Sequence, residues 1–290
     1  MVYTEQRRKM RAVLSGTRCV SPATVYDALS ARIAESVGFE LGILSGSVNA
    51  ATLLGAPDLA LHTLTEFTDQ VTRITRASQL SLLVDADHGY GNALNVMRTV
   101  QELEHAGVAA LAIEDVAQPA RFGNVGQPEG TLTLISLEEM AGKLRAAVAA
   151  RQDPSLVIVG RLAALRVEDT ARAAARAKAY AATGVDALFI TGLKKLADLD
   201  AIRAAMNLPI ILGNTPGLKR EDLAARGARI LLLGHQPVAA AAKALHDTYQ
   251  HLYSGGAPAE LASKIASPEE MDRYLDAATY RKWRREFLAP

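Results

Sequence analysis

The chain carries a single cysteine, Cys19, among 290 residues. No intrachain disulfide and no multi-cysteine metal site is therefore available, and a reducing, cytoplasmic setting is expected. Aromatic residues are scarce at 5%, while hydrophobic residues as a class reach 49%. The core must then be assembled from Ala, Leu, Val and Ile, which suits helices packed on a parallel sheet. An excess of either charge is missing too, since 32 Lys and Arg stand against 31 Asp and Glu. Without a basic field, nucleic acid and anionic membrane surfaces are disfavoured as partners. The charged start, Met1 to Arg11, leads into no apolar run of signal-peptide or membrane-span length. These absences lead to the expectation of a soluble, cytoplasmic protein.

What is present is regular. Short apolar runs recur at Cys19-Val20, Leu41 to Leu44, Leu82 to Asp85, Ala109 to Glu114, Leu156 to Gly160, Ala187 to Ile190, Pro209 to Leu212 and Ile230 to Leu233. Helical patterns separate them, at Ala28 to Val37, Leu94 to Ala106, Leu137 to Ala150, Glu168 to Ala182, Leu196 to Met206, Arg220 to Arg226 and Val238 to Leu252. Strand and helix alternating through eight repeats predict a parallel sheet closed into a (β/α)8 barrel, a fold that reaches this length as one domain. Gln118 to Thr133 is a long Gly- and Pro-containing loop after the fourth run and reads as a candidate lid. The barrel is expected to fill residues 1–257. Residues 258–290, charged and helical in character, are expected to form an extension that packs on the barrel or on a partner subunit.

Active sites of such barrels lie at the carboxyl ends of the strands. The residues there are Ser45-Gly46-Ser47, Asp85-Ala86-Asp87-His88-Gly89-Tyr90-Gly91, Glu114-Asp115, Arg161 and Gly234-His235. Asp85, Asp87 and Glu114 make a hard-oxygen set of the kind that holds Mg²⁺ partly through retained waters. Each alone could equally cap a helix or pair with an arginine; three on adjacent strand ends favour the metal. Ser45, Gly46 and Ser47 offer hydroxyls and close backbone approach to a carboxylate. Arg161 supplies a permanent forked cation, and His235 a hydrogen bond or a proton. Tyr90 either lines the pocket or packs. His62, His105, His246 and His251 read as structural or surface residues, and His88 remains ambiguous.

At these positions the chain resembles the phosphoenolpyruvate mutase/isocitrate lyase superfamily. The matching stretches are Tyr26-Asp27-Ala28-Leu29-Ser30-Ala31-Arg32, Ser45-Gly46-Ser47, Ala56-Pro57-Asp58, Asp85 to Asn92 and Ile113-Glu114-Asp115. Within the superfamily it looks most like the oxaloacetate decarboxylase branch, through Asp87 to Thr99 and Gly234-His235. The resemblance implies a barrel with a swapped last helix and a dimer-of-dimers homotetramer. It implies Mg²⁺, with Mn²⁺ as a substitute, held through Asp85, Asp87 and Glu114. It also implies a 2-oxo acid substrate contacted by Ser47, Arg161 and His235, and Ser45, Gly46, Asp58 and Tyr90 complete the expected substrate-binding set.

The lyase members carry a cysteine-bearing loop after the fourth strand, whereas Arg121 to Gln127 here contains no cysteine, lysine or histidine, which argues against an isocitrate or methylisocitrate lyase. The family's Ala-Arg-Thr-Asp/Asn-Ala becomes Gly160-Arg161-Leu162-Ala163-Ala164, and Gly213 to Gly217 is shortened against the decarboxylase pattern. The expected reaction is decarboxylation of oxaloacetate, or a related 2-oxo di-acid, to pyruvate and CO₂ through an enolate, with Arg161 and His235 as the catalytic side chains. The alternatives are a lyase on a 2-hydroxy or alkylmalate acid or an enzyme acting on phosphonopyruvate, and a non-catalytic 2-oxo acid-binding homologue.

Overall fold

The computed structural model describes residues 3–119 and 132–288. The greater part of the expected lid, from residue 120 to 131, lies outside the described residues, and so does Arg121 to Gln127. Eight strands follow one another in chain order, each parallel to the next: β1 Ala23–Thr24, β2 Leu41–Leu44, β3 Ser81–Asp85, β4 Ala110–Glu114, β5 Val157–Leu162, β6 Ala187–Ile190, β7 Ile210–Leu212 and β8 Ala228–Leu231. The expected first strand at Cys19-Val20 is only a bridge. Pro22 has no N–H to give a ladder, so β1 starts one residue after it. Val20 nevertheless closes the barrel: its amide donates to the Arg229 carbonyl at 2.9 Å, and its carbonyl accepts from Leu231 at 2.9 Å.

The helices are α1 Thr4–Ser15, α2 Ala28–Val37, α3 Gly46–Asn49, α4 Leu64–Ala77, α5 Ala93–His105, α6 Leu137–Ala150, α7 Thr170–Ala181, α8 Leu196–Ala205, α9 Arg220–Ala225, α10 Gln236–Tyr253, α11 Pro268–Tyr274 and α12 Ala277–Phe287. Asp27 caps α2 reciprocally with Ser30, Thr63 caps α4 with Glu66, and Asn92 caps α5 with Asn95. Each pair satisfies donors that the first helical turn leaves open. α1 and α4 fall outside the segments expected to be helical. α1 closes the amino end of the barrel, where Met10 and Leu14 join the inner core.

Two apolar layers form because successive strand residues face opposite sides. Leu41, Ile43, Leu83, Ala110, Ala112, Val157, Val159, Ala187, Phe189, Ile211 and Ile230 fill the interior. Leu82, Val84, Leu111, Ile113, Ile158, Leu188 and Ile190 face the helices. α10 is the exception among the helices that follow strands, because none of its side chains is buried. Among the described residues, no helix is long and apolar enough to cross a membrane.

Candidate active site

The alternation that builds the core also aims the polar residues. Asp85 follows Leu83 on the inner face, Glu114 follows Ala112, Arg161 follows Val159, and Phe189 follows Ala187. Register then sets neighbours side by side, with Glu114 opposite Arg161 and Arg161 opposite Phe189. Arg161 lies inside β5 rather than after it, since the strand runs on to Leu162. Its Nη1 donates to Asp85 Oδ2 and pairs with Glu114 Oε2 at 3.0 Å, and its guanidinium carbon stands 5.2 Å from the centre of the Phe189 ring. Leu162 points outward into the helix-facing core, and the Ala163 amide donates to Asp115 Oδ1 at 2.9 Å. The apolar departure from the family pattern at Leu162 therefore does not face the pocket.

Asp87 reaches the same place by a different route. It sits past the end of β3 with φ 48°, and Gly89, Tyr90 and Gly91 that follow also take positive φ. Such backbone is costly for a side chain that lacks a compensating role. The Glu114 amide ties the turn down by donating to the Asp87 carbonyl at 2.9 Å. A Cβ on Gly46 would overlap the Asp87 carboxylate, so the glycine of Ser45-Gly46-Ser47 makes room for an acid from another strand. Gly91 has the same relation to its helix cap, where a Cβ would strike the Asn95 side chain.

The three acids are buried, and one guanidinium serves them. Burial pushes Asp87 up to about 8, with Asp85, Glu114 and Asp58 adding to the rise and Arg161 opposing it. Burial likewise lifts Glu114 to about 7; Arg161 opposes this, while Asp85, Asp115 and Asp58 reinforce it. Asp85 Oδ1 is buried with no hydrogen-bond partner. Negative charge exceeds positive charge here, and a divalent cation would relieve the imbalance. Among the described residues, no three carboxylate, imidazole or thiolate groups form a ready-made coordination shell.

His235 lies beyond β8, as the residue that precedes α10. Its Nε2 is 3.3 Å from Ser45 Oγ, Ser45 Oγ is 3.1 Å from Ser47 Oγ, and its Nδ1 is 3.3 Å from Thr24 Oγ1. Burial lowers the imidazole's proton affinity, against the pull of Asp85 and Asp58. Asp58 is exposed, on a loop whose charge is felt at Asp85, Asp87, Glu114 and His235. Tyr90 Oη contacts His62 Nε2 at 2.9 Å, and the same nitrogen is 3.4 Å from Asp87 Oδ2. His62, expected to be structural, is thus buried beside the acids and packs its ring near Phe67. His88 is tied down through its backbone, where its carbonyl accepts from Lys143 Nζ at 3.0 Å; burial lowers the ring to about 4, with Lys143 and His62 adding to the fall.

Two groups carried no legible signal of their place at the site in the sequence. Thr24 and His62 lie far along the chain from the residues they touch. Asp115 was visible beside Glu114, but not its partners: the Tyr180 hydroxyl donates to it at 2.9 Å and also contacts Arg176 Nη1 at 3.1 Å. This buried brace fixes the end of β4 against β5 and α7.

A parallel (β/α)8 barrel with buried acids, one arginine and a histidine gathered at the strand ends defines a class, that of lyase-type barrel enzymes. The chain belongs to the phosphoenolpyruvate phosphomutase family, whose sequence profile matches residues 10–253. It is 52% identical over 283 residues to an oxaloacetate decarboxylase of Bradyrhizobium diazoefficiens, covering 96% of this chain and 95% of that protein. The crystal structure of phosphoenolpyruvate phosphomutase from Streptomyces platensis subsp. rosaceus superposes with a TM-score of 0.88 at 27% identity, covering 98% of this chain and 99% of that one. A phosphonopyruvate hydrolase in complex with oxalate and Mg²⁺ superposes with a TM-score of 0.86 at 26% identity, over 98% and 99% of the two chains.

Proposed function

We propose that this protein is a carbon–carbon lyase that decarboxylates oxaloacetate, or a closely related 2-oxo di-acid, to pyruvate and CO₂, with a divalent cation, Mg²⁺, as cofactor and Mn²⁺ as its substitute. Similarity at 52% identity across almost the whole chain to an oxaloacetate decarboxylase carries the reading. Asp85, Asp87 and Glu114 would hold the cation. Mg²⁺ keeps much of its water and needs only one or two carboxylates, which agrees with acids that converge without forming a closed shell. When bound, the cation supplies a Lewis acid for the substrate's carboxylate and keto oxygens.

The side chains divide the remaining work. Ser47, with Ser45 and Gly46, receives the C1 carboxylate at the pocket mouth. Cleavage of the C3–C4 bond leaves its electron pair on the three-carbon fragment as CO₂ departs, and the charge moves to the keto oxygen. Arg161, held by Glu114 and Asp85, faces that charge with a cation that stays protonated. C3 then takes a proton from solvent to give pyruvate. His235 orients the ligand rather than supplying this proton, because burial favours its neutral form. Tyr90 and His62 brace Asp87, and Asp58 adds charge at the rim.

The exposed face of α10 supports an assembly. Its Leu245, Tyr249 and Tyr253 are exposed, and a largely apolar hollow of about 480 Å³ lies between α2 and the start of α10, lined by Leu29, Ile33, Val37, Phe39 and Leu233. A swapped helix from a second copy, in a homotetramer, would cover such surfaces. Residues 1–257 form the barrel unit. Residues 258–290 form the extension, in which Leu261 is buried and α11 lies against α2. A reducing cytoplasm suits a chain whose one thiol, Cys19, is buried.

Steady-state assays with oxaloacetate, phosphonopyruvate and alkylmalates, with Mg²⁺ and after chelation, test the reaction. Mg²⁺-dependent pyruvate formation from oxaloacetate is expected. Turnover of an alkylmalate or phosphonopyruvate alone would replace this reading, and tight oxalate binding with no product from any substrate would make the protein a binding homologue.

A further inference from the structure

Thr24 stands on the inner face of the barrel mouth, between Ala23 and Val25, which face the helices. Its hydroxyl has one proton and two acceptor sites. That proton goes to the Gly234 carbonyl at 3.0 Å. The 3.3 Å contact between Thr24 Oγ1 and His235 Nδ1 must therefore be donated by the ring. A neutral imidazole has a single N–H, so Nε2 is left as an acceptor, and Ser45 donates to it across 3.3 Å. With its proton spent, Ser45 Oγ accepts from the Val48 amide at 3.3 Å and from the Ser47 hydroxyl at 3.1 Å. Every donor in the chain is then assigned.

We infer that Thr24 is a positioning residue that holds His235 with its proton on Nδ1, so that Nε2 anchors Ser45 and leaves Ser47, of the two serines, as the hydroxyl able to turn its proton to a ligand. When Ser47 turns, Ser45 keeps its bonds to Val48 and His235, and a bond to a neutral oxygen is exchanged for a stronger one to a carboxylate. The inference rests on the proposed role of Ser47 and His235 as substrate contacts. It also limits His235, whose only proton in the neutral form is committed to Thr24 rather than to a ligand.

The loss of a group that fixes a histidine tautomer can cost an enzyme orders of magnitude when that group is a carboxylate. A neutral hydroxyl holds the ring less firmly, and a loss of roughly 10-fold in kcat/KM is expected for Thr24→Val. Nitrogen-15 NMR of the histidine-labelled full-length protein at about pH 8, where unperturbed imidazole is neutral, reads the tautomer directly. His235→Gln assigns the signal. The native protein should show a protonated Nδ1 and a bare Nε2; Thr24→Val should shift the ring toward the Nε2–H form, and Thr24→Ser should restore both tautomer and rate. An Nε2–H ring in the native protein overturns the inference without any variant, and so does a tautomer unmoved by Thr24→Val. The predicted tautomer in a protein that does not turn over oxaloacetate would instead leave the inference standing and remove the proposed reaction.

Discussion

The carboxylate of Asp87 occupies the space that a side chain on Gly46 would need, so a glycine on one strand end makes room for a charged residue from the next. Gly46→Ala forces one of the two to move. Asp87 already has an unfavourable backbone at φ 48°, so it is the partner expected to give way. Mg²⁺ affinity, read by calorimetry, should weaken about 10-fold or more while the circular dichroism spectrum stays unchanged, the range seen when supporting contacts of a metal site are removed. Native affinity in Gly46→Ala would show that Asp87 is not a ligand.

Asp85 tests the metal more directly. It is a buried acid with one oxygen lacking a partner, and it adds to the repulsion felt by Asp87 and Glu114. Asp85→Ala should abolish Mg²⁺-dependent turnover with little change in melting temperature, because the lost pairing with Arg161 is offset by lost repulsion and Glu114 keeps the guanidinium engaged. Near-normal turnover would sink the metal assignment.

Arg161 and His235 have different duties and should fail differently. Arg161→Ala removes the only cation paired with these acids among the described residues, and kcat/KM should fall on the order of 10²-fold or more. Arg161→Lys should recover little, since a compact ammonium on a shorter reach replaces the delocalised, planar guanidinium that stands over the Phe189 ring. His235→Ala should cost roughly 10-fold to 10²-fold, and His235→Gln should recover part of it, since the amide can still accept from Ser45. Equal damage at both positions, with no rescue by Gln, would make the histidine an obligatory acid–base group and favour a retro-aldol reaction.

A buried ion pair ties α1 to the opposite end of the barrel. Arg7, 2% exposed, donates to Asp153 Oδ2 at 2.7 Å and to the Glu104 and Val108 carbonyls at 2.6 and 3.0 Å. Burial alone would raise the Asp153 carboxyl, but hydrogen bonds from Ser155, Arg7 and Thr4 outweigh it and hold the group well below the usual carboxylate range. A depressed acid contributes stability above its unfolded value of about 4, and that contribution is lost as pH falls from there toward the lower folded value. Asp153→Asn should therefore cost about 3 kcal/mol near neutrality, measured by denaturant unfolding, with the difference from the parent shrinking below pH ~4. A constant difference across that range would show that the charge is not the cause.

Tyr249 and Leu245 test the assembly. Both are more than half exposed on α10, a helix with no buried side chain. Tyr249→Glu together with Leu245→Asp should shift sedimentation from a tetramer to a smaller species, because burying two carboxylates in an apolar interface is costly. A parent protein that sediments as a monomer would refute the swapped helix.

Much of the barrel was determined by the sequence alone. β2, β6, α2 and α6 fall where the apolar spacing places them, and Asp85 and Glu114 stand at strand ends as expected. Period-two alternation and helix caps are local, so a single strand's residues suffice to locate them. The tertiary structure decided what depends on closure. Pro22 moved the first strand, the extension of β5 drew Arg161 inside it, and α10 was left uncovered within its own chain. Thr24 meets His235 only because the two ends of the sheet come together through Val20, and His62 meets Asp87 only because a loop folds back over the mouth. Such contacts join residues far apart in the chain, and no spacing within one segment encodes them, because register across the sheet is set by packing of the whole barrel.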